Sequence, residues 1–175
     1  MQNFYAIHTV HLSYGCSLSS GRLNTRSLYH HFGNKEGLLE AVILQLDEEL
    51  GKVILEEWNS HSDEWKGLLS CCELSLKMAM DPVIKKIYHT EGRFVLGERV
   101  REIDAKSSIR PMAAVIENLI REGKLKKVDP ETLARQINAL LMESAIFISE
   151  SENPKLTYSL AIDSFRIIME GLRTR

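Results

Sequence analysis

The sequence predicts an all-α protein, and three observations support this fold class. Apolar residues recur every three or four positions along most of the chain, which is the period of an amphipathic helix. Strand signals are nearly absent, since there is no sustained alternation of apolar and polar residues and no Asn-Gly or Asp-Gly hairpin. Proline follows an acidic or amide residue at Asp81-Pro82, Asp129-Pro130 and Asn153-Pro154, which is typical of helix starts.

The first helix that the pattern predicts extends from Lys35 to Trp58. Gly33 can end a preceding helix, and Asn34 is a favourable N-cap for the new one. The apolar stripe of this helix consists of Leu39, Val42, Ile43, Leu46, Leu50, Val53 and Ile54. A long amphipathic helix is therefore expected directly after a helix stop.

A polar break at residues 60–63 separates this helix from a second one, which is predicted over residues 63–80. Asp81-Pro82 then begins a short helix, because Asp is a good N-cap and Pro fits the first helical position. We expect this helix to end near Gly92 or Gly97, since glycine commonly terminates helices.

Three further helices are expected in the second half of the chain. A charged stretch, residues 98–106, leads into a helix that ends at Gly123. The last two helices are predicted at Asp129–Glu150 and Asn153–Arg173. Their apolar stripes include Leu133, Ile137, Leu140, Leu141, Phe147 and Ile148 in the first, and Tyr158, Ala161, Phe165, Ile168 and Leu172 in the second.

The composition indicates a globular protein of the cytoplasm. Hydrophobic residues make up 44% of the chain and charged residues 26%, which are ordinary values for globular proteins. Cys16, Cys71 and Cys72 form neither a disulfide framework nor a Cys-x-x-Cys metal motif. No apolar run is long enough to cross a membrane, and the first residues lack the features of a signal peptide.

The positive charge is concentrated near the N-terminus. Residues 1–35 contain Arg22, Arg26 and Lys35 and no Asp or Glu, whereas the remainder carries 19 Lys and Arg against 24 Asp and Glu. A basic segment on an acidic body suits a local contact with a polyanion. A chance lack of acidic residues over a short stretch explains the charge equally well.

The most informative segment is residues 25–39, in which a short helix is followed by a glycine stop and a new helix. Leu28 and Phe32 lie four residues apart and face inward. The side chains left on the outer face are Arg26, Ser27, Tyr29 and His30. Such a helix can enter a major groove, where arginine reads guanine and hydroxyl groups bind phosphates. Lys35 stands at the next helix start, whose free N–H groups favour a phosphate.

This segment closely resembles the recognition helix and the following helix start of the TetR family of transcriptional regulators. The residues that match the family pattern are Leu28, Tyr29, His31, Phe32, Lys35 and Leu38. The resemblance extends over roughly residues 23–173, and it includes segments such as 90–97, 123–125 and 169–172.

The resemblance implies a DNA-binding part at residues 1–36 and a ligand-binding and dimerisation domain at residues 37–175. It implies DNA contacts from Thr25, Arg26, Ser27, Tyr29, His30 and Lys35. The implied partners are a double-stranded DNA operator, a small-molecule effector and a second copy bound through the last two helices. The expected function is that of a repressor released by its effector, with no cofactor.

The candidate ligand-binding residues are methionines, aromatic residues and a few polar side chains of the predicted body helices. Methionine and aromatic side chains line adaptable apolar cavities, although for each residue singly core packing is the more common role. The candidates are Trp65, Cys72, Met78, Tyr88, His89, Phe94, Met112, Met142, Glu143 and Phe147. Glu143 is the carboxylate expected to orient a polar ligand, unless it is simply exposed.

One alternative to a functional repressor follows from the sequence. Residues 21–24 match the family turn only in part, and residues 14–20 have poor helix propensity, so the supports of the reading helix are atypical. The alternative is a dimeric small-molecule-binding protein with a non-functional DNA-reading head. An enzyme or a metal protein is not expected, because no catalytic constellation or metal-ligand spacing occurs.

Overall fold

The computed structural model of the protein describes residues 33–174, except for the side chains of His89, Thr90 and Arg93. The short helix expected before Gly33 and the atypical stretch of residues 14–24 lie outside the described residues. The proposed boundary between residues 36 and 37 falls inside the first described helix, so it stays a prediction.

The described residues form an all-α fold, which confirms the predicted class. Their only extended pairing is a single antiparallel bridge between Leu125 and Arg173. The helices are α1 (Lys35–Asn59), α2 (Glu64–Met78), α3 (Pro82–Ile84), π1 (Lys85–Gly92), α4 (Arg93–Leu96), α5 (Glu98–Asp104), π2 (Ala105–Ile109), α6 (Arg110–Arg121), α7 (Pro130–Glu150) and α8 (Pro154–Glu170), where π1 and π2 are π-helical.

The predicted helix starts are confirmed by their capping hydrogen bonds. The side chain of Asn34 accepts a hydrogen bond of 2.8 Å from the backbone N–H of Gly37. Gly33 just before it has φ +76°, a conformation that favours glycine. Side-chain caps of the same kind begin α2, α3, α7 and α8 at Asp63, Asp81, Asp129 and Asn153. Each cap stabilises its helix by about 1 kcal/mol.

The main core lies where α2, α6, α7 and α8 meet. Its largest side chains with almost no exposure are Leu76, Ile116, Leu119, Ile148, Phe165 and Met169. Burying a side chain of this size contributes about 1.5–3 kcal/mol. These helices therefore form the stable body against which α1 packs.

Two smaller clusters attach α1 to this body. Ile43 of α1 is buried against Val100 and Ile103 of α5. One turn further along α1, Leu46 packs on Met78 and Ile84. The long helix is thus held from Leu39 to Trp58, and its first turn lies N-terminal to these contacts.

The charged stretch at residues 98–106 differs from the expectation of a lead-in to the next helix. It is itself helical, as α5 and the start of π2. Val100 and Ile103 lie three residues apart on one face and bury against Ile43, while the charged side chains of the stretch, Asp104 excepted, are exposed. Two buried apolar residues are therefore enough to anchor this helix, which the high charge of the stretch made difficult to predict.

The π-helical segments flank α4 and α5 and change the direction in which side chains project. Such wide turns are rare and often occur at functional sites. In π1, Gly92 is buried so closely that an added Cβ atom would lie 2.6 Å from the carbonyl oxygen of Ile87 and 2.7 Å from Cδ1 of Ile43. Glycine is therefore required where π1 approaches α1. In the described part of the chain, no helix has the length and hydropathy needed to span a bilayer.

Candidate ligand-binding cavity

A cavity of about 550 Å³ lies within the body, walled by parts of α1, α2, α6 and α7 and by π1 and π2. Its volume is in the range of about 300–1,000 Å³ that is typical of small-molecule sites. Most of the wall is apolar and includes Leu50, Ile54, Trp58, Leu68, Leu76, Val115 and Leu141. The cavity can therefore accommodate a drug-sized organic molecule.

The polar residues of the wall cluster around two neighbouring carboxylates, each with its own hydrogen-bond donors. Oδ1 of Asp47 accepts hydrogen bonds from the Tyr88 hydroxyl at 2.7 Å and from the Ser107 hydroxyl at 3.0 Å. Nδ2 of Asn138 donates to Oδ2 of Asp104 at 2.6 Å. The cluster thus joins α1, π1, π2, α5 and α7 at the cavity wall.

The environment of this cluster shifts its protonation equilibria. Burial raises the pKa of Asp104, the neighbouring Asp47 raises it further, and hydrogen bonds from Asn138 and Ser108 oppose the shift. Burial also raises the pKa of Tyr88, and the hydrogen bond to Asp47 acts in the same direction. Tyr88 therefore remains a protonated donor at neutral pH.

Five of the candidate ligand residues lie on the cavity wall. They are Cys72 and Met78 of α2, Tyr88 of π1, Met112 of α6 and Met142 of α7. They come from four different helices, so the fold brings together residues that are 70 positions apart in sequence. Methionine side chains at such a wall can adapt to ligands of different shape.

Four of the other candidates lie elsewhere. Trp65 is buried in the main core, where its indole N–H donates to Glu170 at 3.2 Å. Phe94 is 91% exposed on α4. Glu143 and Phe147 are exposed on the outer face of α7, and the side chain of His89 lies outside the described residues.

Asp47, Asp104 and Asn138 line the cavity but were not among the candidates. A signal for the first of them was available in the sequence. Asp47 follows Ile43 by four residues and precedes Leu50 by three, so it interrupts the apolar stripe of α1 with a carboxylate. Asn138 has the corresponding position in α7, between Ala134 and Leu141. A polar residue on a buried helix face is a better indicator of such a site than an aromatic one.

The adjacent cysteines have the properties of unreactive thiols. Burial raises the pKa of Cys71 to about 11 and that of Cys72 to about 12. The Cys71 thiol also donates to the backbone carbonyl of Ile54 in α1. Since the thiolate is the reactive form, both residues act here as apolar wall components.

An apolar surface extends over α7 and α8 on the side away from the core. Its large exposed side chains are Phe147, Leu156, Leu160, Ile167 and Ile168. Leu156, Leu160 and Ile167 share one face of α8, because they are separated by four and seven residues. Ile168 was expected in the buried stripe but is exposed, since Ile162, Phe165 and Met169 occupy the core side.

A family model for the C-terminal domain of tetracyclin-repressor-like proteins matches residues 65–172, which is more than half of the chain. The chain belongs to the TetR family of transcriptional regulators. The matched range contains α2 except for its first residue and the whole of α3 to α8, and therefore most of the cavity wall and the whole apolar surface of α7 and α8.

Solved structures agree with this assignment. A TetR-family transcriptional regulator from Pectobacterium atrosepticum is 32% identical, with a TM-score of 0.78, over 91% of this chain and 81% of its own. TetR-family proteins from Shewanella sp. PV-4 and Chloroflexus aurantiacus share the fold at 17% and 18% identity, with TM-scores of 0.66 and 0.62. Both alignments span 86% of this chain, and 81% and 79% of theirs. Among curated proteins, no significant match was found.

The DNA-contacting residues expected of this TetR-family regulator fall mainly outside the described residues. These are Thr25, Arg26, Ser27, Tyr29 and His30. Lys35 is described and is exposed at the first position of α1, next to the free N–H groups of the helix start. Among residues 33–174, no group of three or more His, Cys, Asp and Glu side chains is arranged to hold a metal ion.

Replacing Asp104 with asparagine is expected to raise the free energy of unfolding at pH 7. The raised pKa of Asp104 means that the folded protein binds its proton more tightly than the unfolded chain. Stability therefore falls as the pH rises from the ordinary aspartate pKa of about 3.9 through the raised one. Asparagine has no charge to bury, so we expect a gain on the order of 1 kcal/mol at pH 7 and a smaller one near pH 4.

Urea unfolding of Asp104→Asn and the parent protein between pH 4 and 7 measures this difference. Glu143→Gln is the matched control, because it removes a carboxylate from the exposed face of α7 and should change stability little at any pH. A loss of stability in Asp104→Asn that is the same at all pH values would contradict the assignment of a buried, unfavourable charge.

Proposed function

We propose that this TetR-family member is a ligand-responsive repressor that leaves its operator when a small molecule occupies the cavity. The observation that carries the proposal is the position of α1. This helix starts directly after the DNA-reading motif, and its other half forms a wall of the cavity through Leu50, Ile54 and Trp58. An occupant of the cavity therefore touches the same rigid element that begins at Lys35.

The contacts around α1 suggest how occupancy is transmitted. Asp47 is hydrogen-bonded to π1 through Tyr88 and to π2 through Ser107. Gly92 places π1 in direct contact with Ile43, about one turn away on α1. A ligand that rearranges these contacts would tilt α1 and move the reading head. It can shift the equilibrium only as far as it binds one arrangement better than the other.

The proposed DNA contacts combine base reading and phosphate binding. Arg26, Tyr29 and His30 would face the major groove with Thr25 and Ser27, and Lys35 would bind a phosphate at the start of α1. The positive charge of residues 1–35 supports this proposal. A homodimer through α7 and α8 would present two such heads to a pseudo-palindromic operator.

A dimeric ligand-binding protein without operator binding is the second candidate. The partial match of residues 21–24 to the family turn and the poor helix propensity of residues 14–20 favour it. The two candidates share the cavity and the dimer. They differ only in whether the segment before Gly33 holds Tyr29, together with Lys35 at the start of α1, in a position to bind DNA.

Fluorescence anisotropy of the full chain on its own upstream DNA, across a salt series, separates the candidates. A repressor should bind saturably and prefer this DNA over random sequence. Tyr29→Ala and Lys35→Ala should both weaken binding, and Lys35→Ala, which removes a positive charge from a phosphate contact, should also reduce the salt slope by about 1. Lys127→Ala, an exposed lysine of the loop between α6 and α7, is the matched control and should bind normally.

Equal binding to random DNA, unchanged in Tyr29→Ala and Lys35→Ala, would refute the repressor and leave the second candidate. Specific binding that is insensitive to Lys35→Ala alone would refute only the phosphate contact at the start of α1.

A further inference from the structure

We infer that the cavity selects a lipophilic organic cation, a molecule with an apolar body and a protonated amine. The inference rests on the proposed function, because it assigns a ligand class to the same cavity. The charges on the cavity wall, the directions of its hydrogen bonds and its aromatic surface support this assignment.

The wall carries negative charge without a compensating positive one. Asp47 and Asp104 both line the cavity, and none of the described residues that line it is Lys, Arg or His. Among the described side chains, neither carboxylate takes part in an ion pair. Carboxylates facing an apolar space are unfavourable unless a charge partner is supplied. An ammonium group on the ligand would supply it.

The hydrogen bonds of the cluster leave acceptor oxygens for a ligand. The hydroxyls of Tyr88 and Ser107 both donate to Oδ1 of Asp47, so Oδ2 of that carboxylate accepts no hydrogen bond from the described side chains. The amide of Asn138 is likewise directed at Oδ2 of Asp104. These three donors are engaged with the protein's own carboxylates, so a ligand anion would meet negative charge, whereas a donor-rich cation would meet acceptors.

The remaining wall suits the apolar body of such a ligand. Trp58 and Tyr88 bring aromatic rings to the cavity, and aromatic faces attract organic cations. The ring of Trp58 packs against α2 at Gly67, which has no side chain to displace it. A Cβ atom added at Gly67 would lie only 3.0 Å from the indole ring. Met112 and Met142 add polarisable side chains that adapt to shape.

Three probes with one naphthyl body and different charge test the inference. They are 1-naphthylmethylamine, which is protonated at pH 7, the neutral 1-naphthalenemethanol and the anionic 1-naphthoate. Isothermal titration calorimetry on the full chain at pH 7 gives the three dissociation constants. We expect the amine to bind roughly ten- to a hundred-fold more tightly than the alcohol, the gain of a charge-assisted hydrogen bond. The carboxylate should bind more weakly than the alcohol.

Substitutions in the cluster locate the preference. Asp104→Asn and Asp47→Asn should each lower the affinity for the amine about ten-fold while leaving the affinity for the alcohol within a factor of about two. Glu143→Gln is the matched control, since it removes one negative charge outside the cavity and should preserve the ratio. An unchanged ratio in Asp104→Asn and Asp47→Asn would overturn the assignment to these residues.

The outcomes distinguish this inference from the proposed function. Equal affinity for amine and alcohol would overturn the cation preference and leave a ligand-binding cavity. Tightest binding of 1-naphthoate would overturn it as well. Binding of none of the three probes would count against both the cation preference and the ligand-responsive function.

Discussion

Replacing Ile167 with aspartate is expected to convert the proposed dimer into monomers and to abolish the proposed operator binding. Ile167 is 75% exposed on α8, in line with Leu156 and Leu160, so the folded subunit itself gains little from burying it. In a symmetric dimer the substitution places two carboxylates in one apolar interface. An uncompensated buried charge costs about 3–5 kcal/mol, which corresponds to a loss of affinity of more than about a hundred-fold.

Analytical ultracentrifugation across protein concentrations measures the dimer dissociation constant, and circular dichroism reports whether the subunit stays folded. Phe94→Asp is the matched control. It introduces the same charge at a residue that is 91% exposed on α4, away from α7 and α8, and it should leave the dimer intact. If Ile167→Asp remains a dimer while Phe94→Asp dissociates, the interface lies on α4 and not on the last two helices.

The helix starts are the features of this protein that could be predicted most directly from the sequence. Asn34, Asp81, Asp129 and Asn153 were expected as N-caps, and each accepts a backbone hydrogen bond in the structure. Capping depends on residues within three positions of one another, so local pattern is sufficient to predict it. The long α1 followed in the same way from a stripe of apolar residues that begins just beyond Gly33.

The helix at residues 98–106 and the cavity cluster were harder to predict, because long-range packing determines them. Val100 and Ile103 are buried because they pack in one cluster with Ile43 and Leu39 of α1, which lie about 60 residues earlier in the sequence. Asp104 belongs to the same charged stretch, and nothing within that stretch distinguishes it from its exposed neighbours. It faces the cavity because α5 is anchored on α1 and α7 supplies Asn138.

The choice of ligand candidates from residue type was limited by the same dependence on long-range packing. Aromatic and methionine residues are common in cores, so residue type alone does not distinguish a cavity-wall residue from a core residue. Tyr88 lines the cavity, whereas Trp65 packs in the main core. The roles proposed for the DNA-reading residues before Gly33 stay predictions.

The second large effect is expected from Gly92→Ala, which should loosen the contact between π1 and α1. An added Cβ atom would lie 2.6 Å from the Ile87 carbonyl oxygen and 2.7 Å from Cδ1 of Ile43. The first neighbour is backbone within π1, so it cannot move aside without distorting the segment. Overpacking of this kind costs about 1–3 kcal/mol, and urea unfolding should show a loss of that size.

Gly51→Ala provides the matched control within α1. No atom lies within 4 Å of its added Cβ, and alanine favours the helix more than glycine does. We expect Gly51→Ala to raise the free energy of unfolding by about 0.5–1 kcal/mol. A comparable loss in both variants would show that α1 as a whole, and not its contact with π1, is sensitive to change.

The effect of Gly92→Ala on DNA release distinguishes a structural role of the contact between π1 and α1 from a signalling role. If π1 transmits ligand occupancy to α1 through Ile43 and Asp47, Gly92→Ala should still bind 1-naphthylmethylamine but should release its upstream DNA less completely at saturation. Anisotropy of the DNA complex during titration with the amine measures this release, because the bound fraction is followed directly. Normal release in a destabilised Gly92→Ala would limit the glycine to packing, and the signal would then have to pass through the Asp47 hydrogen bonds from Tyr88 and Ser107 alone.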